Sequence, residues 1–172
     1  MTPFLPPAPE LIHGLKYQGW TSLAPFMGER MARLVRLEGW ADPPGVVVPV
    51  PTTPGRFRER GFNPARLLAD AVSQGLGISV ADGLSRPRES PRQVGLPPSE
   101  RAANVRGAFV SSGASSGVLN HQHVLLVDDV LTTGATGAEA ARAAGECGAR
   151  TVSLVTFARA LPRDPDSGGP SY

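Results

Sequence analysis

The 172-residue chain has one cysteine and one lysine. A lone thiol, Cys147, can neither close an intramolecular disulfide nor supply a thiolate-rich zinc site, which excludes a disulfide scaffold and a zinc finger. No zinc is expected, and a reducing cytoplasm is the compartment that fits. The three histidines, His13, His121 and His123, are spaced unlike a metal-ligand set and read as surface or capping residues. No apolar run reaches the ~18 to 20 residues of a membrane-spanning helix. The opening MTPFLPPAPE lacks the basic and apolar regions of a signal peptide, so a soluble, unexported protein without a membrane span is expected.

With Lys16 the only lysine, the other sixteen of the seventeen basic residues are arginines, whose planar forks suit bidentate contacts to phosphate. They are unevenly placed. Residues 56–106 carry nine arginines against five acids, a net +4, and the remainder of the chain is at −2. An anionic ligand follows naturally from that excess, although a high-GC genome enriches arginine as well.

Residues 1–9, with Pro3, Pro6, Pro7 and Pro9, read as an extended arm. Helices are expected over 10–16 and 22–37, the second capped by Ser22, with Trp20 and Trp40 as packing residues. Residues 46–50 form a continuous apolar run of the type buried on both faces of a sheet. A basic loop spans 51–62, and Asn63 then caps a helix to about residue 73 with Pro64 at its first position. Residues 84–104, rich in proline and arginine, form a long surface excursion. Strands are expected over 107–111, 124–127 and 151–158, with an alanine-rich helix over 137–147. One α/β domain over residues 10–160, with a mainly parallel sheet and a disordered tail at 161–172, accounts for this order.

The chemistry is concentrated in residues 124–136, VLLVDDVLTTGAT. In an open α/β sheet the turn between a strand's carboxyl end and the next helix presents free N–H groups and the positive end of the helix dipole, a natural phosphate site. Thr132, Thr133 and Thr136 add hydroxyls there, and Gly134 permits a tight turn close to an anion. Asp128 and Asp129 would repel a bare polyphosphate, so they must face sugar hydroxyls or a divalent cation. A sugar phosphate meets both demands; the plainer alternative is an acidic pair that caps the helix.

These thirteen residues resemble, at every position, the phosphoribosyl pyrophosphate (PRPP) signature of type I phosphoribosyltransferases. VPVP at 48–51, RERGFN at 58–63 and the pattern from Ser85 to Phe109 are similar to the ComF (competence protein F) branch of that superfamily. The resemblance covers roughly residues 10–160 and implies a type I phosphoribosyltransferase-like fold with a small N-terminal helical region. It implies that Asp128 and Asp129 contact the ribose hydroxyls, directly or through magnesium-bound water. Val130, Leu131, Thr132, Thr133, Gly134, Ala135 and Thr136 would then surround the 5-phosphate. Thr52, Thr53, Arg56, Arg58, Arg60 and Asn63 would line a pyrophosphate or DNA contact, and Arg86, Arg88, Arg101 and Asn104 would belong to a lid.

The chain departs from the family at Thr52 and Thr53, where many members have histidine, and at Pro64, where glutamine is usual. The family's cysteine-rich zinc module has no counterpart in these residues. No catalytic residue is therefore assigned. Three readings stand together at this level: a PRPP-using transferase linked to natural competence, with single-stranded DNA and a helicase as partners; a non-enzymatic PRPP sensor or single-strand binding module; and a nucleobase-salvage phosphoribosyltransferase.

Overall fold

A computed structural model describes residues 2–3, 5–87, 106–113 and 117–160. Its core is a five-stranded, all-parallel sheet in the order β1-β7-β6-β2-β3. The strands are β1 (Thr2–Pro3), β2 (Val46–Pro49), β3 (Ser79–Val80), β6 (His123–Leu131) and β7 (Thr151–Arg159). A separate two-stranded antiparallel ladder joins β4 (Leu84–Ser85) to β5 (Val110–Ser111). Among the described residues the helices are α1 (Ala8–Tyr17), α2 (Ala24–Leu37), α3 (Pro54–Arg60), α4 (Pro64–Leu76) and α5 (Ala135–Glu146), with a 3-10 turn at Thr21–Leu23.

All four residues of β2 and the first five of β6 are buried, which requires cover on both faces of the sheet. Side chains alternate along each strand, and the core divides accordingly. Val47, Leu125, Val127, Val155 and Phe157 pack with Ile12 and Leu15 of α1, Met27 and Met31 of α2, and Leu68 and Val72 of α4. Val46, Val48, Val124 and Leu126 pack on the other face with Ala140, Ala143 and Ala144 of α5, together with Phe109 and Leu119. α2 and α4 approach unusually closely: a Cβ added at Gly28 would lie 2.3 Å from the Ala71 Cβ, and one at Gly75 would lie 2.7 Å from the Ala32 Cβ.

Several expectations are corrected. α1 begins at Ala8, and Thr2–Pro3 pairs with the edge of β7, so residues 1–9 are not simply an extended arm. Ser22 does not cap α2; it lies inside the 3-10 turn, and Leu23 precedes the helix without a side-chain cap. α4 runs through Gly75 and ends at Gly77, whose φ of +69° only glycine adopts at little cost. The basic loop contains a helix, α3, with Thr53 as its cap and Pro54 at its first position. β6 extends past the apolar run to Leu131, and the expected strand at 107–111 is only Val110–Ser111. The tail at 161–172 lies outside the described residues.

His123 is likewise not a surface residue. It is 4% exposed, its Nδ1 lies 2.6 Å from the Asp42 carbonyl and its Nε2 lies 2.9 Å from the Ser153 hydroxyl. Trp40 packs over its ring at 5.2 Å, which ties the residues before β2 to the amino ends of β6 and β7. Both ring nitrogens are thereby satisfied inside the core, the usual condition for a buried imidazole.

Candidate functional site

The signature residues lie where β6 leaves the sheet and α5 begins. Thr132 and Thr133 are exposed in the turn, and Gly134 turns the chain with φ +82°. No side chain caps α5 at Gly134; the nearest group is the Thr133 hydroxyl, 3.4 Å from the Ala135 N–H. The first backbone bond of the helix runs from the Ala138 N–H to the Gly134 carbonyl, so the amides of Thr136 and Gly137 precede the helical ladder. Gly137 lets the helix sit tightly on β7, because a Cβ there would lie 2.5 Å from the Leu154 side chain. The helix start is thereby held directly above the carboxyl end of the sheet.

Asp128 and Asp129 are strand residues, which changes their geometry from the expected loop pair. Alternation sends them to opposite faces. Asp129, 8% exposed, turns toward α1, where Lys16 Nζ lies 2.6 Å from its Oδ1. Asp128 turns toward the α5 side and accepts a hydrogen bond of 2.9 Å from the Asp129 N–H. Burial, followed by the charge of Asp129, pushes the Asp128 carboxyl up to about 7, while that backbone bond, Lys16 and Arg86 act in the other direction. Val130 and Leu131 belong to the strand, so of the seven residues expected around a 5-phosphate only Thr132 to Thr136 form the turn and the helix start.

The loop after β2 approaches the same end of the sheet, since Val50 donates its N–H to the Val127 carbonyl. The basic loop expected over 51–62 is helical over Pro54–Arg60, and helical geometry separates its three arginines. Arg56 and Arg60, four apart, share a face of α3, and Arg58 is turned away from it. Arg60 donates to the Tyr17 hydroxyl at 3.1 Å and stacks its guanidinium 4.7 Å over the Tyr17 ring. Its Nε is buried and has no hydrogen-bond partner among the described residues, a donor that an incoming oxygen would satisfy. Thr52 is half-buried, and Thr53 uses its hydroxyl to cap α3. Asn63 is spent at both ends on the backbone: its Nδ2 donates to the Val50 carbonyl and its Oδ1 accepts from the Ala65 N–H. Thr53 and Asn63 therefore shape the loop instead of pointing free side chains into it.

Of the expected lid, Arg88, Arg101 and Asn104 lie outside the described residues. Arg86 packs 5.2 Å over the Phe109 ring and lies close enough to Asp128 to favour its ionised form. Three participants were missed by the sequence reading. Lys16 and Tyr17 come from the last turn of α1, more than a hundred residues from the signature; only the rarity of lysine marked that position. Glu139, 9% exposed on α5, accepts 2.6 Å from the Gly107 N–H and pairs with Arg142, and its carboxyl is held below the usual range first by that guanidinium. Cys147 packs at the end of α5 against the core, as expected of a small thiol. A shallow cavity of about 270 Å³ lined by Trp40, Leu76 and Ile78 lies at the amino ends of β2 and β3, opposite the acidic pair.

An all-parallel sheet whose acidic strand end leads through a hydroxyl-rich turn into an uncapped helix is the architecture of the type I phosphoribosyltransferases. The phosphoribosyl transferase domain family matches residues 62–169. DNA utilization protein YhgH of Salmonella typhimurium is 30% identical over 162 residues, covering 92% of this chain and 70% of that protein. Competence protein F of Haemophilus influenzae is 33% identical over 118 residues, covering 68% of this chain and 51% of that one. Among solved structures, glutamine PRPP amidotransferase from B. subtilis, complexed with ADP and GMP, superposes with a TM-score of 0.52 at 21% identity. That match covers 80% of this chain and 26% of the amidotransferase, and it supports the fold alone. The chain belongs to the phosphoribosyl transferase family, in its competence protein F branch. No helix among the described residues is long and apolar enough to cross a membrane.

Proposed function

We propose that this protein binds PRPP at the carboxyl end of β6 and acts in the handling of DNA. The observation that carries the reading is the uncapped start of α5 beside Asp128 and Asp129, which pairs donors for a phosphate with acceptors for sugar hydroxyls. The 5-phosphate would sit on residues 132–136, the ribose hydroxyls would meet the carboxylates, and the diphosphate would lie toward Arg56 and Arg60.

Magnesium suits the donor chemistry, since carboxylate oxygens are its ordinary ligands. Asp128 and Asp129 are the residues that would hold the ion, directly or through its bound water. Bound there, it would neutralise charge on the departing diphosphate. In a transfer, the bond from C1 of the ribose to the diphosphate oxygen breaks with its electron pair leaving on pyrophosphate, and an acceptor forms the new bond to C1. Arg56 and Arg60 would stabilise the leaving group. The involvement in DNA handling, and in competence with single-stranded DNA and a helicase as partners, is supported by the names of the relatives above and by analogy within the branch.

Titration calorimetry with PRPP and magnesium, against ribose 5-phosphate, tests the binding site; PRPP bound no better than inorganic phosphate would overturn it. Pyrophosphate release in the presence of single-stranded DNA or a nucleobase then separates a transferase from a sensor. A single-strand binding module is a second reading, favoured by the exposed aromatic rings of Tyr17 and Phe57, 58% and 51% accessible, beside the arginines of α3.

A further inference from the structure

Lys16 and Tyr17, adjacent in the last turn of α1, each contact a candidate ligand residue. The Lys16 ammonium lies 2.6 Å from Asp129, and Tyr17 carries Arg60 on its ring and hydroxyl. The Lys16 side chain keeps 22% of its surface in solvent, so the ammonium is not sealed behind the carboxylate. β2 is the direct neighbour of β6, with Pro49 opposite Val127, which brings the loop that leads into α3 alongside the acidic pair.

We propose that Lys16 is a ligand-positioning residue that neutralises Asp129 in the free protein and transfers to the diphosphate of the bound ligand. The inference rests on the PRPP reading above. Asp129, nearly buried beside a second acidic residue, needs a counter-charge when nothing is bound, and Lys16 supplies it. A magnesium-bound sugar diphosphate brings its own cation and hydroxyl donors to those carboxylates. It also brings several negative charges that then lack partners. An ammonium on a four-carbon stem can make that exchange by rotating its own side chain, with no movement of α1. A guanidinium fork locked to a carboxylate exchanges less readily. In a chain where every other basic residue is arginine, the one lysine occupies the position where a mobile counter-ion is needed.

The test compares wild type, Lys16→Met and Lys16→Arg by calorimetry with magnesium PRPP and with ribose 5-phosphate. Lys16→Met is expected to weaken PRPP by about tenfold or more, the scale of one charge-assisted contact, and to change ribose 5-phosphate by less than about twofold. Lys16→Arg should recover part of the loss. Equal loss of both ligands would mark Lys16 as a structural latch, and unchanged or tighter PRPP binding would mark it as a competitor; either overturns the proposal. If wild type itself binds no PRPP, the functional reading falls and the proposal falls with it.

Because Lys16 carries the only side-chain amine, a lysine-reactive ester followed by peptide mass spectrometry provides a second readout. Asp129→Asn should speed labelling of Lys16 in the free protein, and magnesium PRPP should slow labelling of the wild type. Faster labelling on addition of PRPP would mean that the ammonium swings into solvent, against the transfer.

Discussion

Asn63 fastens the start of α4 to the end of β2 by donating a 3.0 Å hydrogen bond to the carbonyl of Val50, thirteen residues earlier. The same amide caps α4 through its oxygen, so one side chain closes the loop that carries α3. Asn63→Ala should cost about 2 kcal/mol, one cap and one half-buried bond, and Asn63→Ser, which keeps the cap, about 1 kcal/mol. Urea unfolding of the two variants checks this; equal losses would mean that the cap contributes nothing, and no loss in Asn63→Ser would mean that the bond to Val50 contributes nothing.

The ligand-free protein should lose stability between mildly acidic and neutral pH on account of Asp128. Its folded value, pushed up to about 7, exceeds the ordinary 3.8, so the folded chain holds this proton more tightly than the unfolded chain. The stabilisation is complete below the unfolded value and disappears as pH rises through the folded one. Glu139 acts in the opposite sense, its contribution being present above its unfolded value and lost as pH falls. The effect of Asp128 is therefore isolated as the difference in thermal midpoint between wild type and Asp128→Asn from pH 4 to 8. The gap should move in favour of the variant as pH rises, and a constant gap would contradict the raised carboxyl.

Glu139 and Arg142 form a pair whose two halves should behave very differently. The carboxylate is buried and also holds the Gly107 amide, whereas the Arg142 side chain is 43% exposed. Glu139→Ala should cost about 1 to 2 kcal/mol by removing the charged acceptor of the Gly107 N–H together with the partner of Arg142, while Arg142→Ala should cost distinctly less. Chemical denaturation of both variants decides the point, and equal costs would place the stabilisation in the ion pair itself.

Arg56 and Arg60 lie on one face of α3 and should act together. Under the PRPP reading, Arg56→Ala with Arg60→Ala weakens PRPP but leaves ribose 5-phosphate almost unaffected. Under the single-strand reading, the same change flattens the salt dependence of DNA binding by about 0.7 in slope per lost phosphate contact. Parallel titrations of both ligands over a salt series separate the two, and a variant that loses DNA while keeping full PRPP affinity would exclude the pocket.

The parts of this fold that were legible in the sequence are those dictated by local pattern. The three valines that open β2 and the apolar start of β6 match buried strands, and Asn63 followed by Pro64 opens a helix by rules that operate within a few residues. α3 obeyed the same rules, with Thr53 before Pro54 and Gly61 after Arg60, but the alternating arginines of RFRER drew the reading toward an extended loop. The aspartates were placed one element too late because polarity was taken to end the strand, whereas β6 continues to pair with β7 as far as Leu131 and Arg159. The bond from Lys16 to Asp129 spans 113 positions and depends on how α1 packs across the sheet, so no local pattern announces it.

The glycine and alanine seam between α2 and α4 has a mechanical consequence. With Gly28 against Ala71 and Gly75 against Ala32, the two backbones are too near for either helix to slide by even a methyl group without collision. They act as a single rigid plate bolted to one side of the sheet, and Asn63, at the end of that plate, anchors the arginine-bearing loop. A glycine-to-alanine contact remote from the signature residues thus fixes where α4, and with it Asn63 and the arginine-bearing loop, sits on the sheet.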